Sequence, residues 1–97
     1  MTDFPSIPAV IHNRSAQRFE LRVEQRLARL DYLLQGQTIL FTHTEVPPEL
    51  EGRGLGSRLA QAGLAYASEQ GYKVRTTCWF IAGYLQRHPE YQSLRAD

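Results

Sequence analysis

Three glycines alternate through Glu51-Gly-Arg-Gly-Leu-Gly-Ser57, and an amphipathic helix is predicted to begin inside that run. Gly52, Gly54 and Gly56 let the backbone turn tightly and come close to a ligand. The helix start offers unpaired N–H groups and the positive end of a dipole, a setting that suits a phosphate. His43 and Glu45 stand just upstream, and the only cysteine, Cys78, closes a later strand-like run. Imidazole, carboxylate and thiol can move protons or carry an acyl group. On these residues the chain reads as a small enzyme that uses a phosphate-bearing cofactor.

Each of these groups also has a structural reading. The glycine run is not a nucleotide-triphosphate loop, because Gly56 is followed by Ser57 and Arg58 rather than by Lys and Ser or Thr. The dinucleotide fingerprint fails on glycine spacing. A diphosphate held by backbone N–H groups from Arg53 to Arg58 is one reading, and a plain glycine-rich turn is the other. Arg53 and Arg58 either assist phosphate binding or are simply solvated. His43, on the face of Phe41, is either a hydrogen-bonded core side chain or a base oriented by Glu45. Cys78 is either a small buried apolar group or an activated thiolate at a strand end. Tyr84, on the last helix, either reaches the site with its phenol or covers the core, while Trp79 reads as packing or pocket wall. One cysteine and three scattered histidines give no metal-ligand spacing.

The elements that must position these groups follow from periodicity. Val10 and Ile11 suggest a short edge strand. Phe19, Leu21 and Val23 alternate with charged residues, as a strand with one wet face requires. Leu27 to Gln35 fits strand or helix; its place before the turn-like Gln35-Gly36-Gln37 favours a strand in an antiparallel meander. Thr38 to Val46 is a strand, predicted to point Ile39, Phe41, His43 and Glu45 to one side, and Pro47 and Pro48 end it. Leu55, Leu59, Ala62 and Tyr66 form a helical stripe, with Ala60, Gly63 and Ala67 allowing close contact with a sheet and Gly71 as the stop. Lys73 to Phe80 is predicted as a further strand, and Ile81 to His88 as a short helix halted near Pro89. A strand–loop–helix–strand unit favours two neighbouring parallel strands. The expected fold is α+β, a mixed, mostly antiparallel sheet flanked by helices.

Ninety-seven residues make one domain. Residues 1–8 read as a flexible lead-in with two prolines, and 9–97 as a single domain. A single cysteine rules out an intramolecular disulfide and points to a reducing, cytoplasmic setting. No signal segment or membrane-length apolar run is present. Eleven basic residues against 10 acidic ones leave a net charge of +1, a near-balance that gives no long-range pull toward nucleic acid, whose binding normally leaves a clustered basic footprint.

Taken together, His43-Thr-Glu-Val46, the Glu51-to-Ser57 loop, Cys78 and His88-Pro-Glu-Tyr91 resemble the small GCN5-related N-acetyltransferase-like proteins, a compact branch of the acyltransferase superfamily. The likeness runs from about Val10 to Leu94. It implies the compact acyl-CoA N-acyltransferase fold, with acetyl-CoA in a groove where two neighbouring strands splay apart. The residues it assigns to the cofactor are Val46, Arg53, Gly54, Leu55, Gly56, Ser57 and Arg58. The superfamily loop usually begins with glutamine or arginine; here that position is Glu51, so binding leans on backbone donors. The likeness also implies that the residue matching Cys78 is a candidate acyl carrier with His43 nearby, followed by Glu45 and then Tyr84. The expected activity is acetyl transfer from acetyl-CoA to an amine, on a small molecule or a protein, directly or through a Cys78 acyl-enzyme. The alternative is a CoA-binding or protein-interaction module with little or no turnover. Neither the acceptor nor the oligomeric state follows from these residues.

Overall fold

A computed structural model describes residues 9–96; the expected lead-in, residues 1–8, lies outside them. The chain runs β1 (Ile11–Asn13), β2 (Arg18–Val23), β3 (Arg26–Gln35), β4 (Thr38–Glu45), a 3-10 turn at Pro48–Leu50, α1 (Leu55–Gln70), β5 (Lys73–Thr76), α2 (Trp79–Arg87) and a 3-10 segment at Pro89–Leu94. The five strands form one sheet in the order β1-β2-β3-β4-β5. The first four are antiparallel, and β4 pairs in parallel with β5 across the α1 crossover. This is the expected mixed sheet, and Leu27 to Gln35 is strand as predicted. Among the described residues no helix is long and apolar enough to cross a membrane.

Alternation builds the core on one face of the sheet. Phe19 and Leu21 on β2, Ala28, Leu30 and Tyr32 on β3, Ile39 and Phe41 on β4, and Val74 on β5 are all buried. Cross-strand pairs such as Phe19↔Leu30 and Ile39↔Val74 put these side chains together. The α1 stripe that meets them is Leu55, Leu59, Ala60, Gly63, Leu64 and Ala67; Ala62 and Tyr66, predicted in it, flank it half-buried. Gly63 is where helix and sheet come closest. A methyl there would sit 2.9 Å from the Phe41 ring and 3.0 Å from Leu30. Gly71 ends α1 with a positive φ of 74°, its N–H bonded to the carbonyls of Ala67 and Ser68.

Two expectations are corrected. The strand predicted to reach Phe80 stops at Thr76, and α2 begins at Trp79 rather than at Ile81. The Thr76 hydroxyl causes the turn: it donates to the Phe41 carbonyl at 2.9 Å and accepts the Cys78 N–H at 2.9 Å. In β4 the alternation breaks. Tyr32 faces Phe41 but Asp31 faces His43, so Thr42 is an extra residue, a β-bulge. Its hydroxyl bonds the Asp31 carbonyl at 3.3 Å. Past the bulge Thr44 pairs with buried Leu30, while His43 and Glu45 pair with Asp31 and Arg29. His43 and Glu45 therefore leave the face of Ile39 and Phe41 and stand more than half-exposed on the opposite one.

Candidate active site

The parallel pairing of β4 with β5 ends at Phe41↔Thr76, with one further bond from the Thr77 N–H to the Phe41 carbonyl at 3.1 Å. Beyond that point β4 continues to Glu45 while the other chain turns away, and a cleft of about 430 Å³ opens. Thr42, His43, Thr44, Glu45 and Val46 form one wall. Thr77, Cys78, Trp79 and Phe80 form the other, and Glu51 and Gly56 bring the glycine run to it.

Cys78 is the residue that precedes α2, in an extended conformation, and its carbonyl accepts the first helical bond, from Ala82, at 3.1 Å. No side chain caps that helix start, so its positive dipole end lies beside the cysteine. The thiol is buried, with 8% of the residue exposed. Its sulfur lies 3.4 Å from the Thr44 hydroxyl, which the bulge has turned to the core face.

His43 bonds elsewhere. Its Nε2 lies 3.2 Å from Glu45 Oε1, and Arg29 Nη1 reaches the same oxygen at 3.3 Å. Arg29 Nε in turn binds Asp31 at 3.1 Å. With Nε2 donating to Glu45, Nδ1 keeps a lone pair and can accept a proton. The cleft thus brings together Cys78, His43 and Glu45, but in two separate hydrogen-bonded pairs, Cys78 with Thr44 and His43 with Glu45.

At the glycine run, Gly54 precedes α1 with φ at 76°, and the first helical bond runs from the Arg58 N–H to its carbonyl at 3.2 Å. No side chain caps this end and no acidic residue occupies its first turn, so the N–H groups of Leu55, Gly56 and Ser57 are left for solvent or a ligand. A second cavity of about 210 Å³ follows Gly52, Gly54, Leu55 and Ser57 and shares Val46, Glu51, Gly56 and Phe80 with the cleft. The Phe80 ring covers Gly56 so closely that a methyl would lie 2.9 Å from it. Of the residues assigned to the cofactor, Val46, Gly54, Leu55, Gly56 and Ser57 line these cavities. Arg53 and Arg58 do not, although Arg58 Nη1 is shielded from solvent with no hydrogen-bond partner.

Tyr84 stands away from both walls. Its ring stacks on His88 at 3.8 Å in the core, and burial first, then Tyr91 and Glu90, raises its phenol above the ordinary range. Thr44 is the site residue that the sequence reading missed. Its only signal was a hydroxyl between His43 and Glu45, and alternation assigned it to the wrong face.

A family model described as GCN5-related N-acetyl-transferase matches residues 18–94, a span that contains both walls and the glycine run. The chain belongs to the GCN5-related N-acetyltransferase family. Similar members include Protein NATD1 of Mus musculus, 36% identical over 88% of this chain and 80% of that protein. Protein NATD1 of Xenopus tropicalis is 33% identical, covering 88% and 81%. The solution structure of a GCN5-like protein from Staphylococcus aureus superposes with a TM-score of 0.67 at 28% identity, over 81% of this chain and 80% of that one. The compact GCN5-related N-acetyltransferase fold expected from the sequence is therefore the fold of this protein.

Proposed function

We propose that this protein transfers an acetyl group from acetyl-CoA to an amine. The observation that carries the reading is the cleft itself, which opens where β4 and β5 part and joins a phosphate-suited helix start to Cys78, His43 and Glu45. The residues fit the cofactor. Beyond Phe41 the β5-side edge of β4 leaves backbone groups for the amides of a pantetheine arm, as an added strand would use them. The uncapped N–H groups of Leu55, Gly56 and Ser57 suit a pyrophosphate, and Arg58 has a buried donor without an acceptor. Glu51 adds no cation, which puts the weight on those backbone donors. Bound acetyl-CoA would supply an activated thioester carbon.

Two routes use these walls. In direct transfer the amine nitrogen bonds to the acetyl carbon, its proton passes to His43 Nδ1, and the carbon–sulfur bond breaks with its electron pair leaving on sulfur. Glu45 holds the imidazole in place from Nε2. In the two-step route the Cys78 sulfur first takes the acetyl group in a thioester exchange and then yields it to the amine, ending again as thiol. The place of Cys78 at an uncapped helix start beside the Thr44 hydroxyl favours this route, in the reducing cytoplasm proposed for the protein.

Intact-protein mass after incubation with acetyl-CoA, with CoA release followed in parallel, tests both. One added acetyl group on the native chain, absent from Cys78→Ala, supports the acyl-enzyme. Acceptor-dependent CoA release without an adduct supports direct transfer. Cofactor binding without release leaves a CoA-binding module, and no binding overturns the proposal.

A further inference from the structure

Arg29 on β3 holds both of the carboxylates that flank His43. Its Nε donates to Asp31 Oδ2 at 3.1 Å, and its Nη1 reaches Glu45 Oε1 at 3.3 Å. That Glu45 oxygen is the one His43 Nε2 meets at 3.2 Å. Glu45 comes to the imidazole from two residues along β4, and Asp31 stands directly opposite His43 on β3. The bulge at Thr42 sets the arrangement, because past it His43 pairs with Asp31 and Glu45 with Arg29. The side chains of Arg29 and Asp31 are 28% and 29% exposed, against 54% and 53% for His43 and Glu45. The β3 pair is thus the better shielded from water.

The other charges around His43 are engaged elsewhere or lie farther along the strands. Glu20 stands opposite Arg29 on β2, but Arg18 Nε binds it at 2.6 Å and Asn13 Nδ2 donates to it at 3.0 Å. Arg26 pairs with Glu49 at 3.3 Å, and Arg22 lies opposite Leu27. Lys73 and Arg75 on β5 stand opposite Thr38 and Leu40, on the far side of the bulge. Around the cleft itself the remaining titratable groups are Glu51 and Cys78. Among the described residues, His43 therefore has two carboxylates bound to one guanidinium, that of Arg29.

Nearby carboxylates favour the imidazolium, and a guanidinium beside them opposes that pull. A general base needs the neutral ring, with a lone pair on Nδ1. Resting on acetyl transfer with His43 as its base, we infer that Arg29 is the positioning residue of that base. It fixes the Glu45 oxygen at Nε2, and its charge offsets the attraction of Glu45 and Asp31 for a second ring proton. Arg29 does not line the cleft, and acts on His43 through these two carboxylates.

The His43 ring reports this without cofactor or acceptor. Its Cε1–H resonance, identified by its loss in His43→Gln, is followed against pH by NMR at low ionic strength. Arg29→Gln is expected to raise the titration midpoint by roughly half a pH unit, about threefold in the ratio of imidazolium to imidazole, the scale of one solvent-screened charge. Asp31→Asn removes a carboxylate instead and lowers the midpoint. Arg29→Lys keeps the charge and stays closer to the native midpoint than Arg29→Gln does. The Arg29→Gln shift shrinks in about 1 M salt, which screens a through-space charge. A role in folding alone would lower the urea midpoint and leave the titration of the folded chain in place. An unmoved midpoint in folded Arg29→Gln overturns the inference, and so does a rise in Asp31→Asn. If Arg29→Gln does not fold, Asp31→Asn decides: a lowered midpoint supports the inference and an unmoved one overturns it. Failure of acetyl-CoA to bind registers separately, as the absence of a thermal shift with CoA, and counts against acetyl transfer rather than against the role of Arg29.

Discussion

The Thr44 hydroxyl lies 3.4 Å from the Cys78 sulfur and ties the end of β4 to the start of α2 across the gap where β5 has stopped. Thr44 reaches that position only because the bulge at Thr42 shifts the register of β4 by one residue. Thr44→Val keeps the shape and removes the hydroxyl. Since a hydrogen bond of this kind contributes on the order of 1 kcal/mol, stability should fall by about that much or less, and formation of the Cys78 adduct should slow by up to about tenfold. Stopped-flow mass analysis of the adduct decides it; an unchanged rate would remove Thr44 from the chemistry.

His43 and Glu45 are more than half-exposed, so their pairing contributes little to folding. Glu45→Gln and His43→Gln should each shift the urea midpoint by less than about 0.5 kcal/mol in stability. Acceptor-dependent CoA release should nevertheless fall by about a hundredfold in His43→Gln, the scale of a lost general base. Full turnover in that variant would show that water or another group takes the proton.

Gly56 and Gly63 separate site from scaffold within one helix. At Gly56 an added methyl meets the Phe80 ring, which is half-buried and can swing, so Gly56→Ala should cost little stability but displace a cleft wall and weaken CoA binding. At Gly63 the methyl meets Phe41 and Leu30, both wholly buried and unable to give way. Gly63→Ala should destabilise by about 1–3 kcal/mol, as overpacking does, with the CoA affinity of the folded fraction intact. Denaturation curves and CoA titrations on both variants check the contrast, and equal effects on the two measurements would refute it.

His12 predicts how stability depends on pH. Its ring stacks on Phe19 at 4.2 Å and meets the edge of Tyr66 at 4.4 Å, and its Nε2 is hydrogen-bonded to the Tyr32 hydroxyl at 2.5 Å. Burial first, and the Arg14 charge second, hold its pKa below the ordinary 6.5. The unfolded chain therefore binds this proton more readily than the folded one, and stability rises with pH in that range. The contribution is complete above about 6.5 and is lost as pH falls through the lowered folded value. Urea midpoints between pH 8 and 5 should drop for the native protein and drop less for His12→Gln. Parallel curves would assign the acid loss to other groups, among them Glu20, whose carboxyl is held low chiefly by its hydrogen bond from Arg18.

Much of this protein was legible in the order of its residues. Alternation in Phe19–Val23 and Thr38–Phe41 set the core face of those strands, because a strand repeats every two residues whatever its neighbours do. Gly52 and Gly54 ahead of Leu55 marked a helix start, and Gly71 its end, because only glycine takes a left-handed turn without strain. The order of β4, glycine run, α1 and β5 was enough for a parallel neighbour. What the tertiary structure decided lies past Phe41. A bulge belongs to two strands at once, and nothing in Thr42-His43-Thr44 alone shows that β3 will leave one residue unpaired. That single residue turned His43 and Glu45 to one face and Thr44 to the other. Likewise Thr76 ended β5 through a bond to the Phe41 carbonyl, 35 positions away in the chain, which left Cys78 and Trp79 at the start of a helix rather than inside a strand.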